Sequence, residues 1–298
     1  MRRSDFIHLV IGSATLVPCF LGILLYAPTV AAPPKDTPDV PPPAAKTEPI
    51  ITQLVEDVDE TLETTETTVE TTAVPFYIAY SAEEIAELKA GEDLYRELPD
   101  DIIDECFTVS PITDKVYERI NGVSFLPNDH VQVSDLSYIR ILHYTPEGQR
   151  RIGELIVNKL IADNVKEIMR ALYDAQYPIE RMVLVDDYGG DDSLALADNN
   201  SYAFNFRGSA NSENVTAQGE GRSININPVY NPYVSDNGAT ISPKKGLAYA
   251  NREESAPMMI NENDYCYQIF TANGFTWGGS WGSTKNYMYF EKKPTNAT

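Results

Sequence analysis

The chain has 298 residues, 43% of them hydrophobic, and a formal net charge of −21. That length holds one sizeable domain with additional segments, and the strongly acidic balance excludes a nucleic-acid binder, which needs a basic face to neutralise phosphates. The acidity is uneven: residues 32–110 carry 20 acidic and 4 basic side chains, whereas residues 111–298 carry 23 and 17.

At the N-terminus, Arg2 and Arg3 precede an apolar run from Phe6 to Tyr26. The run is long enough to cross a hydrocarbon core of roughly 30 Å, and longer than the ~7–15 residues of an ordinary signal-peptide core. Residues 1–31 therefore read as a signal anchor with its N-terminus in the cytoplasm, or as a signal peptide cleaved near Val30-Ala31-Ala32. The first reading gives a single-pass cell-membrane protein with an extracytoplasmic C-terminal domain. The second gives a secreted one.

Residues 32–73 read as a disordered linker. Pro33-Pro34 and Pro41-Pro42-Pro43 mark an extended, semi-rigid first part. The Thr/Glu tract Glu60–Thr72 has too few large apolar side chains to bury and charges that repel one another. About 45 such residues at ~3.1–3.3 Å each reach roughly 140 Å. Residues 74–110 read as a short helical or irregular lead-in. Within it, Ser81 and Glu84 have capping-box spacing, which predicts a helix over Ala82–Lys89 closed by Gly91.

Residues 111–298 then form the main domain. Tyr138–Tyr144 is rich in aromatic and β-branched residues and reads as a strand, followed by a second at Arg151–Asn158. Asp163 is placed to cap a helix whose apolar positions Val165, Ile168, Met169 and Leu172 share one face. Shorter strands are expected at Met182–Val185, Ser223–Asn227 and Tyr287–Glu291. Helices and strands alternate without a regular βαβ repeat, so the expected class is α+β, a mostly antiparallel sheet with flanking helices. Cys106 and Cys266, outside the apolar segment, read equally as one disulfide or as two buried thiols.

Four runs carry a family resemblance: Ala175–Met182, Asp198–Arg207, Ile226–Val234 and Gly274–Trp281. Together they make residues 110–292 resemble the zinc D-alanyl-D-alanine carboxypeptidases, in particular their L-alanyl-D-glutamate endopeptidase branch. The resemblance implies a carboxypeptidase-like fold, zinc as cofactor and peptidoglycan stem peptide as substrate. In the family, a His and an Asp in a pattern like S-x-H-x-x-G-x-A-x-D and a later His in D-Y-x-H-F-E hold the metal. The acid of the second pattern is the general base. Two imidazoles and a carboxylate leave one zinc position open for a water that the carboxylate deprotonates.

This chain departs from the pattern at all four positions. Thr216–Asn225 lies on the first motif, with Gln218 at the His position and Asn225 at the Asp position. Asn286–Glu291 lies on the second, with Tyr289 at the His position and Asn286 at the base. The histidines of the chain are His8, His130 and His143, all before the matched site. Neutral amides are poor zinc ligands, and a phenol must first lose a proton with a pKa near ~10. The expectation is a non-catalytic pocket with no bound cofactor, in which Gln218, Asn225, Asn286 and Tyr289 hydrogen-bond one another. Glu213, Glu220 and Glu291 are oxygen donors for a harder cation or, more simply, solvated carboxylates.

Arg207 stands where the family has an arginine near its substrate. It reads as a carboxylate clamp or as the partner of Asp186, Asp187, Asp191 or Asp192. Trp277 and Trp281 read as groove walls or core. The expected partners are peptidoglycan stem peptide or a cell-wall enzyme, and the membrane through the N-terminal segment. The competing readings are an active cell-wall peptidase with an altered metal site and a purely structural surface domain.

Overall fold

A computed structural model describes residues 79–208, 215–235 and 238–293. The apolar segment at 6–26 and the linker at 32–73 lie outside the described residues. Among the described residues no helix is long and apolar enough to cross a membrane.

Helix α1 (Ala82–Glu87) begins with the capping box read from the sequence: Ser81 accepts from the Glu84 amide, and the Glu84 side chain accepts from that of Ser81. It ends at Glu87, two residues earlier than expected, with Leu88 as an extended C-cap, and Gly91 follows in the left-handed conformation. Strand β1 (Asp93–Leu94), helix α2 (Asp100–Glu105), strand β2 (Thr108–Pro111) and helix α3 (Asp114–Ile120) follow. Then come the long strands β3 (Leu136–Tyr144) and β4 (Arg150–Asn158), paired antiparallel from Leu136–Asn158 to Tyr144–Arg150.

These strands form one antiparallel sheet in the order β1-β4-β3-β2. The segment expected as a lead-in thus supplies both edge strands. Leu94, Cys106 and Phe107 are buried in the same core as Ile139, Ile141 and Leu155.

Helix α4 (Ala162–Asp174) lies against this core through Val165, Ile168, Met169 and Leu172, the face marked by their spacing. Its cap differs from expectation. Ile161 is the N-cap, with no side-chain bond, and Asp163 sits in the first turn. The turn is made upstream: the Asn158 carbonyl accepts from Ile161 N, and its side chain from Leu160 N at 3.1 Å. Asp163 instead favours the positive end of the helix and lies 3.6 Å from Lys166.

Of the strand expected at Met182–Val185, Met182 to Leu184 run without a ladder, and Val185 opens a 3₁₀ helix (Val185–Tyr188). The Asn200 side chain replaces a neighbouring strand: its oxygen accepts from Val183 N and its amide donates to Val183 O, both at 2.9 Å. Helix α5 (Asp192–Ala197) follows.

The remaining chain makes two small sheets and a helix. Strands β5 (Ser223–Asn225), β6 (Tyr233–Val234) and β7 (Ile241–Ser242) precede helix α6 (Tyr265–Ala272). Strands β8 (Thr276–Trp277), β9 (Lys285–Asn286) and β10 (Tyr289–Glu291) come last. The sheet orders are β5-β10-β8 and β7-β6-β9, with antiparallel pairing throughout. β5 stops short of the expected Asn227, which has a positive φ of 43° just before Pro228. β10 begins two residues later than expected. The class is α+β with antiparallel sheets. Cys106 and Cys266 are both buried free thiols.

Candidate functional site

The two small sheets bring the matched positions together. In the β5–β10 ladder, Tyr289 stands directly opposite Asn225. Asn286 stands on β9, opposite Tyr233 of β6. Gly278 lets the neighbouring chain approach Asn286, because a Cβ there would fall 2.6 Å from the Asn286 carbonyl oxygen.

Gln218 lies in the turn that precedes β5, and this turn is fastened to the end of β4. Asn158 N donates to Gly221 O at 2.7 Å, and Asn158 Nδ2 donates to Glu220 O at 3.2 Å. Gly221 has φ +69°, and a Cβ on it would meet Asn158 N at 2.7 Å. The turn therefore needs glycine both for its backbone conformation and for the close approach.

Gln218, Asn225, Asn286, Tyr289 and Arg207 all line one cavity of about 310 Å³, together with Asp192 and Tyr202. Trp281 does not line it. It is exposed and its ring packs against that of Tyr289, centroids 5.5 Å apart. Trp277 is core: its indole donates to Tyr287 O at 2.7 Å.

Asp192 organises the charged side of the cavity. Its Oδ1 accepts from the Tyr202 hydroxyl at 2.6 Å and from Asn205 Nδ2 at 2.9 Å. Its Oδ2 lies 2.5 Å from Arg207 Nη1. Arg207 Nη2 donates to Gln218 Oε1, also at 2.5 Å. Of the four aspartates weighed as partners of Arg207, the structure selects Asp192. Burial, followed by the Asp192 charge, pushes the Tyr202 phenol far above its ordinary pKa, with the nearby Gln218 amide opposing the rise.

The residues that reasoning from sequence missed are Tyr202 and Asn205. Both fall inside the run Asp198–Arg207, so the signal was present, but nothing in it marked them as supports for Asp192.

The amide-bearing side chains do not bond one another as expected. Gln218 is engaged by Arg207, and the Tyr289 hydroxyl donates to Glu291 Oε2 at 2.9 Å. Gln218 Nε2, Asn225 Oδ1 and Asn286 Oδ1 are buried with no hydrogen-bond partner. Such atoms are rare and costly, at about 1–3 kcal/mol each when left unsatisfied. Glu220 pairs with Arg222, and Glu291 is taken by Tyr289, so neither stands as a free metal donor. Glu213 lies outside the described residues.

The zinc implied by the resemblance needs imidazole, thiolate or carboxylate donors converging on one point. Among the described residues no three His, Cys, Asp or Glu side chains converge in that way. The matched positions supply carboxamides and a phenol. Burial, with the Glu291 charge adding to it, raises the Tyr289 pKa well above its ordinary value, so the phenol keeps its proton at neutral pH. His143 is buried elsewhere: its Nδ1 contacts Ile179 O at 2.8 Å, and its ring faces Gly153 of β4. These donors do not fit zinc.

The fold and cavity define a class first: an α+β domain with a small polar cleft between two antiparallel sheets. Comparison with family models adds a resemblance over part of the chain. Residues 213–292, which carry Gln218, Asn225, Asn286 and Tyr289, match the family model described as D-alanyl-D-alanine carboxypeptidase. The expected resemblance is found over that stretch. Comparison with curated proteins and with solved structures returned no match.

Proposed function

We propose that the chain presents a non-catalytic D-alanyl-D-alanine carboxypeptidase-like domain at the bacterial cell surface. There it binds peptidoglycan stem peptide, or a wall-enzyme partner, without cutting it. The observation that carries this reading is the replacement chemistry at the cavity. Every position matched to a ligand or base is occupied by a side chain that keeps its proton or has none to exchange near pH 7. A water there has neither a Lewis acid to lower its pKa nor a carboxylate at the base position to take its proton.

The cavity nonetheless retains polarity and room. Gln218 and Asn225 are both 6% exposed, and each holds an enclosed polar atom with no protein partner. A cavity that had collapsed after losing its metal would have closed with apolar side chains or paired its amides. Losing one dication together with two carboxylates also leaves the local charge balance nearly unchanged. The apolar run at 6–26 and the Pro-rich and Thr/Glu-rich composition of residues 32–73 support a surface location.

Cosedimentation of the purified full chain with insoluble peptidoglycan tests the reading. The expected result is retention of the chain, with no alanine or stem-peptide fragments released. Release of such fragments at a rate proportional to protein concentration, and abolished by chelator, overturns it.

A further inference from the structure

We propose that a second site, a surface groove where α6 meets β8 and the end of β10, binds an acidic saccharide: a sugar ring that carries a carboxylate. Two hollows of about 420 and 630 Å³ make up the groove, and Thr276 of β8 and Lys293 line both. Trp281 lines only the first and Lys292 only the second. Neither hollow shares a lining residue with the cavity of Gln218 and Asn225, so the inference does not depend on how that cavity is read.

The aromatic part is Trp281, a large apolar side chain left exposed. It is nonetheless held in place. Its ring packs against Tyr289, its amide donates to Gly278 O at 3.2 Å, and its carbonyl accepts from Lys285 Nζ. An indole already ordered offers a flat apolar face to the C–H face of a pyranose at little entropic cost. Groups for sugar hydroxyls stand beside it. Ser280 and Thr276 are exposed, and Glu291 has a second carboxylate oxygen beyond the one that accepts from Tyr289.

The charged part is Lys292 and Lys293. Among the described residues neither makes an ion pair. Lys292 Nζ is positioned by a neutral partner, donating to Asn164 Oδ1 at 2.6 Å. In a chain of formal net charge −21, two ammonium groups against the single acid Glu291 make this groove locally cationic. A neutral sugar would leave both ammonium groups unused, and a small anion would leave the indole unused. β8 is a sheet edge but has only two residues, too few to align a peptide strand. A membrane surface calls for several exposed apolar side chains, and the exposed neighbours of Trp281 in the groove are Ser280 and Thr276.

The test titrates the purified full chain with N-acetylmuramic acid and with N-acetylglucosamine, which share a ring and differ by a lactyl carboxylate. Tryptophan fluorescence and NMR report binding. Of the two tryptophans Trp277 is buried, so the fluorescence change reports Trp281. The acid is expected to bind about ten-fold more tightly at about 0.05 M salt, and less than about three-fold more tightly at about 0.5 M, where exposed charges are screened. Trp281→Ala is expected to weaken both sugars about ten-fold and to remove the fluorescence response. Lys292→Gln combined with Lys293→Gln is expected to bring the acid to the level of the neutral sugar, which itself changes less than about two-fold. Circular dichroism checks that these surface variants fold. Equal binding of the two sugars, binding that survives Trp281→Ala unchanged, or no binding of either up to tens of millimolar overturns the inference. Adherence to phosphatidylglycerol vesicles without binding of either sugar identifies a membrane surface instead and also overturns it.

Discussion

Removing the Asp192 carboxylate is the sharpest perturbation of the cavity. In Asp192→Ala, the Tyr202 hydroxyl, 2.6 Å away, and Asn205 Nδ2, 2.9 Å away, lose their acceptor. Tyr202 and Asn205 are 2% and 1% exposed, so water does not readily replace it. Asn205 Nδ2 keeps its bond to Gly190 O at 3.1 Å, which limits its share. Arg207 loses its ion pair, but its side chain is 52% exposed and can turn to solvent, so that contact contributes at most about 1 kcal/mol. Orphaning the Tyr202 hydroxyl costs about 1–3 kcal/mol, and the weakened Asn205 contact adds about 1 kcal/mol. The expected loss is about 2–5 kcal/mol. Asp192→Asn keeps the shape and one acceptor, and is expected to cost about half as much. Urea unfolding read by tryptophan fluorescence measures both through the midpoint at unchanged m. A loss below about 1 kcal/mol for Asp192→Ala would refute the reasoning, because it would mean Tyr202 and Asn205 do not depend on this carboxylate.

Two further outcomes follow from the structure. His143 is fully buried, and burial lowers its pKa from 6.5 to about 4. Its unfolded form takes up a proton first, so stability is complete above pH 6.5 and falls as the pH drops towards 4. The full loss is about 3 kcal/mol; in His143→Leu that component of the pH profile should vanish, as read by denaturation midpoints between pH 4 and 7. Gly221→Ala forces a Cβ towards Asn158 N at 2.7 Å, in a left-handed backbone conformation. It is expected to destabilise the chain by about 2–4 kcal/mol and to loosen the turn carrying Gln218, detectable as faster amide exchange at Asn158.

What the sequence made legible was mostly local. The capping box at Ser81 and Glu84, the β-rich run of β3 and the apolar face of α4 each declare themselves within a few residues. The four positions named from their flanking residues lie far apart in the sequence, and the structure brings their side chains to one cavity. The start of α4 was misread because Asn158, not Asp163, makes the turn. Met182–Val185 was misread because a side chain, Asn200, stands in for a neighbouring strand. Arg207 had four plausible aspartate partners in sequence, and only the packing of α5 against Tyr202 and Asn205 selects Asp192. Mutual hydrogen bonding among the amides was expected from chemistry alone. Their orientations are set instead by Arg207, Glu291 and the β5–β10 register, which draw Gln218 and Tyr289 away from their neighbours.

The central claim, that this cavity does not assemble a zinc peptidase centre, is tested most directly by metal quantification. The purified full chain is loaded with excess zinc, desalted, and compared with a variant carrying Gln218→His, Asn225→Asp, Asn286→Asp and Tyr289→His. The account predicts far less than one zinc per chain for the native sequence and close to one for the variant, whose restored donors meet the requirements of a catalytic site. One tightly held zinc per native chain, lost on Gln218→Ala or Asn225→Ala and accompanied by stem-peptide hydrolysis, would contradict it.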